Sequence, residues 1–156
     1  MELTIELVPK TSWYSNVRSE VSDREWDAIR KAVYRRADYK CEVCGDTGDE
    51  HPVECHEVWH YDDENHTQRL KRMIALCPDC HQVKHIGYAS TQGKGHEAAE
   101  HLAKVNDWTL FEAMEYIQDS LEQWRERSQH EWTLDTSILN CEEYERFLEE
   151  RGVHAT

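Results

Sequence analysis

The chain has no long apolar run; its 156 residues have a mean hydropathy of −0.89, and 32% of them are charged. A membrane-spanning helix needs about 20 consecutive, mainly apolar residues, so none is expected. The first ten residues, Met1 to Lys10, lack the basic and apolar regions of a secretory signal. Cations are also scarce, with 18 Lys and Arg against 32 Asp and Glu and a net charge of −14. That balance counts against a simple nucleic-acid-binding surface. Repeats and low-complexity tracts are missing too, and the length predicts one domain with a modest core. Of six cysteines, four stand in metal-ligand spacing, which leaves only Cys55 and Cys141 for any disulfide. This argues against a disulfide framework and for a reducing compartment, the cytoplasm.

What is present centres on Cys41 to His85. Cys41 and Cys44 form one C-x2-C pair and Cys77 and Cys80 a second, 32 residues on. Two such pairs are the signature of a tetrahedral zinc site, because each two-residue gap lets a tight turn aim both thiolates at one ion. The intervening span is too long for a plain zinc ribbon. It carries His56, His60 and carboxylates from Glu54 to Glu64, and His81 and His85 follow the fourth cysteine.

This order of C-x2-C, a histidine on a short apolar strand, and a cysteine pair closing on His81 and His85 resembles the HNH nuclease family. The likeness covers about residues 37–90. It implies a ββα-metal hairpin with a structural four-cysteine zinc, and a catalytic site using a second divalent ion, Mg2+, Mn2+ or another. It also implies that His81, directly after the last cysteine, is a catalytic-metal ligand, with His85 a second helix-borne candidate. Two registers are open for the strand. If His56 and Glu57 match the family's His-His pair, His56 holds metal and Glu57 stands at the base position. If Cys55 and His56 match the Asp-His pair of related phage resolvases, His56 is the base and Glu57 supports the metal. The second is preferred because imidazole suits a base near neutral pH, although Cys55 is a poor magnesium ligand. The family's usual Asn, about five residues before the third cysteine, is replaced by Arg72, and Asn65 lies seven residues earlier. His60, Asp62 and Asp63 read as loop residues.

The charge is uneven. Residues 96–156 hold 15 acidic and 5 basic side chains, whereas Arg24 to Lys40 holds six basic against three acidic. Candidate phosphate contacts are therefore Arg30, Lys31, Arg35 and Arg36, with Arg69, Lys71, Arg72 and Lys84 beyond. A solvated helix face explains the same pattern.

Along the chain, residues 3–7 alternate as a short strand, and 10–21 read as a loop with Trp13 and Tyr14. Ser22 to Glu25 is a capping box opening a helix that ends near Arg36. Residues 45–51 are a turn. Pro52 to Val58 is a strand with Val53, Cys55 and Glu57 on one face and Glu54, His56 and Val58 on the other; 60–67 is a polar loop. Pro78 opens a helix that Gly87 ends, and 89–95 is a flexible linker. Helices follow, with Ala98, Ala99, Leu102 and Val105 on one side of the first. The next opens on a capping box at Thr109–Glu112 and carries a stripe of Leu110, Met114, Ile117, Leu121 and Trp124. A third covers 140–152. The pair of helices has helix-turn-helix spacing, but the second carries Glu112, Glu115, Asp119 and Glu122 and reads as an ordinary hairpin. His96 and His101 receive no role.

The expected fold is α+β and mostly helical. An N-terminal strand and basic helix (1–36) and an acidic helical region (91–156) flank a zinc-stapled HNH-like core (37–90) in one compact domain. The expected activity is metal-dependent hydrolysis of DNA, by a monomer or a homodimer, without membrane association. The alternative is a catalytically silent, acidic zinc module, an adaptor or inhibitor that binds protein or nucleic acid.

Overall fold

The computed structural model describes residues 1–47 and 52–140. The helix expected over 140–152 lies outside the described residues, as do Cys141 and much of the 45–51 turn. The described part is α+β, with six α-helices and a three-stranded sheet, and none of these helices is long and apolar enough to cross a membrane.

A 3₁₀ turn (Lys10–Ser12) and a short helix α1 (Val17–Glu20) replace the expected loop. Helix α2 (Asp23–Arg36) starts where Ser22 accepts a hydrogen bond from the Glu25 amide, and it buries Ala28, Ile29, Ala32 and Val33. Acidic residues in its first turn and Arg35 and Arg36 in its last complement the helix dipole. Strand β1 (Glu54–Asp62) pairs antiparallel with β2 (Thr67–Leu76), and β3 (Thr133–Asp135) adds parallel to the start of β2. The polar stretch expected as loop is thus strand as far as Asp62. Its residues pair across a tight turn, in which Asp62 accepts from the amides of Glu64 and Asn65.

In β2 the register shifts by one residue between the pairs Val58–Arg72 and Trp59–Leu70. The extra residue is Lys71, which is exposed. A bulge of this kind reverses the face on which later side chains fall. Leu70 therefore joins Met73 and Ala75 in one core with Val53, Trp59, Tyr61, Trp132 and the apolar side of α2. Ile74 and Leu76 fall on the other face and pack with Leu3, Ile5, Val83, Ile86 and Leu102.

Helix α3 (Pro78–Lys84) is capped by Cys77, with Pro78 at the position where a missing N–H costs nothing. The chain turns at His85 and continues as α4 (Ile86–Thr91), so Gly87 lies within a helix, and the expected 89–95 linker shrinks to 92–94. Helix α5 (Gly95–Asn106) buries Ala98, Ala99, Leu102 and Ala103; α6 (Leu110–Arg127) opens on the Thr109–Glu112 capping box. The buried face of α6 is rotated from the expected stripe. Ala113 and Ser120 are buried, while Leu110 and Met114 are exposed. Residues 3–7 form no strand. Their polar groups pair with side chains instead, Leu3 with Asn106 through its amide and carbonyl, and the Ile5 amide with the Tyr116 hydroxyl.

Candidate metal centres and the adjoining cavity

Cys41, Cys44, Cys77 and Cys80 come together with their sulfurs all within 4.8 Å of one another. Two similar turns build the cluster. The Cys44 amide donates to the Cys41 sulfur at 3.5 Å, and the Cys80 amide donates to the Cys77 sulfur at 3.4 Å. In the first turn Gly45 adopts φ +82°, a conformation that side-chain-bearing residues rarely take. The Cys44 and Cys77 sulfurs are 3.6 Å apart, close to the edge of roughly 3.8 Å that a tetrahedron with Zn–S about 2.3 Å requires. A hydrogen bond from Cys80 holds the Cys41 thiol down at about 4, and the same bond pushes the Cys80 thiol up. Four crowded thiols sharing protons in this way are suited to a divalent cation that takes the protons' place. The set fits a structural zinc ion, and it ties the segment before β1 to the N-terminus of α3.

A second cluster lies where β1 meets α3. His56, His81 and His85 each offer a ligand atom within 4.8 Å of the others. His81 and His85 are four apart along the chain, which puts both at the end of α3, with their Nε2 atoms 3.0 Å apart. His56 reaches them from β1, its ring centroid 5.3 Å from that of His81 and 5.4 Å from that of His85. The Glu54 carboxylate, two residues before His56 and on its face, binds Nδ1 of His81. This leaves Nε2 of His81, which faces Nε2 of His85, as its ligand atom. Burial first, then the neighbouring imidazoles, lower the His56 pKa to about 2. Desolvation and the charge of His81 lower His85 to about 4, even though His85 is reached by solvent at the cavity mouth. Neutral imidazoles are the form that ligates metal.

Glu57 and Cys55 point to the opposite face from His56. Cys55 packs in the α2 core, burial pushes its thiol up to about 12, and it does not join the histidines. Glu57 accepts a hydrogen bond from the Val17 amide at 3.1 Å. Burial nonetheless raises its carboxyl to about 7, outweighing the bonds from Val17 and Trp59. Both Glu57 and the three histidines line one cavity of about 840 Å3 along the free edge of β1.

The other sequence candidates are scattered. Arg36 donates to Glu42 and to the Met73 carbonyl. Lys84 is 4% exposed and binds Glu6 and Thr4. These two cations are engaged inside the protein. Arg30 and Lys31 flank Asp27 on the surface of α2, and Arg35, Arg69, Lys71 and Arg72 are exposed. Asn65 is occupied by Asp62 in the hairpin turn, at the other end of β1 from His56. His60 is exposed, and Asp63 pairs with Arg127.

Four participants escaped the sequence reading. Glu54 was legible in principle, since alternation puts it on the His56 face. His101 was not; its Nε2 lies 3.2 Å from the Cys80 sulfur, a contact made only when α5 packs on α3. Trp13 and Tyr88 at the cavity likewise depend on tertiary packing.

Comparison with family models, with curated proteins and with solved structures gave no match. The site's own chemistry therefore carries the functional reading.

Proposed function

We propose that the chain is a metal-dependent, HNH-like endonuclease that hydrolyses DNA phosphodiester bonds on a zinc-stapled ββα-metal core. The observation that carries the reading is the convergence of His56 from the hairpin with His81 and His85 from the following helix, beside a four-cysteine site that ties the segment before the hairpin to the same helix. The convergence favours the register in which His56 holds metal rather than acting as base. Glu57 then matches the family's base position in the sequence, on the opposite face of β1 from His56 but lining the same cavity. Bound to the three imidazoles, a divalent ion would supply charge for the phosphate and its leaving oxygen. Imidazole ligands favour Mn2+, Co2+, Ni2+ or Zn2+ over Mg2+. Glu54 orients His81, and the buried Val17 amide orients Glu57.

Plasmid nicking by zinc-replete protein with Mn2+, Mg2+ or EDTA tests this reading. Metal-dependent nicking should fall at least 100-fold in His56→Ala and in His81→Ala, while one zinc per chain is retained. Normal nicking by both variants would reject the site.

One observation favours a second reading, a silent acidic zinc module: Arg36 and Lys84 are committed to internal partners in a chain of net charge −14. Equilibrium titration separates the two. The nuclease binds a second metal ion that His81→Ala loses, whereas the silent module binds one only.

A further inference from the structure

The cavity beside the histidines has features that phosphate chemistry alone does not need. Its volume of about 840 Å3 is on the scale of sites that enclose a small organic ligand, roughly 300–1,000 Å3. Its wall is aromatic, with Trp13, Trp26, Trp59, Tyr88 and Trp124 all contributing. Trp26, Trp59 and Trp124 are wholly or partly buried and form the body of the wall. Trp13 and Tyr88 are different, being 63% and 70% exposed, and they come from separate elements, the turn after Lys10–Ser12 and helix α4. Rings left open at the mouth of a cleft are available for stacking.

The charge of the cleft points the same way. Among the described residues that line it, Lys84 is neutralised by Glu6 and Glu57 adds a second carboxyl, so Arg18 is the cation left to meet a phosphate there. Duplex binding draws on several phosphate contacts at once. An aromatic wall with a single guanidinium matches instead the way unpaired strands are held, by base stacking that tolerates any sequence, with cationic help.

We propose that this cavity seats an unpaired nucleotide, its base stacked against Trp13 and Tyr88 and its phosphate directed toward Arg18 and the three histidines. The strand acted on is then single-stranded or locally unpaired nucleic acid, rather than continuous duplex. The inference rests on the nuclease reading for the fate of that strand, but not for its binding.

The test is fluorescence anisotropy with a labelled oligothymidine strand and a matched duplex, using zinc-replete native protein without added divalent ion so that the strand is not cut. The single strand should bind at least tenfold tighter than the duplex. Adding Trp13→Ala or Tyr88→Ala should weaken it roughly 5- to 150-fold, the range implied by loss of one base–aromatic stack. Trp13→Phe should restore most of the affinity. Both rings are exposed, so the fold should survive, and circular dichroism checks that it does. Duplex binding as tight as single-strand binding overturns the inference, and so does strand affinity that neither alanine variant changes. Plasmid nicking is followed in parallel on the same variants with divalent ion added. Nicking without a Trp13- or Tyr88-dependent strand affinity defeats this inference alone. Such an affinity in a protein that never cuts defeats the nuclease reading and leaves the nucleotide seat standing.

Discussion

At the scale of single residues, both candidate metal centres are buttressed by groups outside the ligand sets. Glu54 holds Nδ1 of His81, and His101 places Nε2 3.2 Å from the Cys80 sulfur. An N–H donated to a thiolate spreads its charge and fixes its direction, and loss of such a partner typically costs 10- to 100-fold in metal affinity. His101→Ala should therefore release zinc about 10- to 100-fold more readily to a colorimetric chelator, with little change in helix content. An unchanged release curve would reduce the contact to simple packing. His96, the other histidine of α5, pairs with Glu100 on the surface and should give no such effect.

At the scale of elements, the hairpin is held at both ends. Near β1's start are the cysteine turn and α3; at its tip, Arg127 from α6 makes two hydrogen bonds to Asp63 and lies over the Tyr61 ring. The Arg127 hydrogen bond, its largest influence, holds the Asp63 carboxyl below its ordinary 3.8. An acid with a lowered folded pKa stabilises the fold above its unfolded value, and this contribution disappears as pH falls through the lowered one. The Asp63 side chain is 59% exposed, so screening limits the pair to less than about 1 kcal/mol. Asp63→Asn should lower the melting temperature by at most about 4 °C at pH 6. The gap should narrow as pH falls below 3.8. A gap of unchanged size there would assign the effect to packing in the turn.

At the scale of the whole molecule, two cores lie on opposite faces of a small sheet, and the cysteine cluster sits in the first of them. Cys41, Cys77 and Cys80 are buried in the first core beside Leu76 and Val83, so an ion held by them would be built into the packing. A structural zinc of this kind contributes folding free energy outright, on the order of 10 kcal/mol in isolated finger peptides. Stripping it with a strong chelator, or substituting Cys77→Ser, should abolish the cooperative thermal transition and the near-ultraviolet dichroism of the six tryptophans. A metal-free protein that melts as sharply as the loaded one would make the cluster dispensable.

Local chemistry was legible along the chain. Two-residue cysteine gaps specify paired turns wherever they occur, Ser22 and Thr109 cap the helices they precede, and Pro78 opens α3, because each of these effects acts over only a few residues. Alternation around His56 likewise separates Glu54 from Glu57 before any partner strand is known. Tertiary structure decided what depends on distant partners. Residues 3–7 alternate like a strand, yet their amides and carbonyls meet Asn106 and Tyr116 instead of a neighbouring strand. The bulge at Lys71 reversed the faces of β2, which no count of alternating residues reveals. His56 meets His81 and His85 only because the pairing of Glu54 with Leu76 brings the start of β1 against α3. Ligand types are set by residue identity, but a site exists only where long-range packing holds those residues a few ångströms apart.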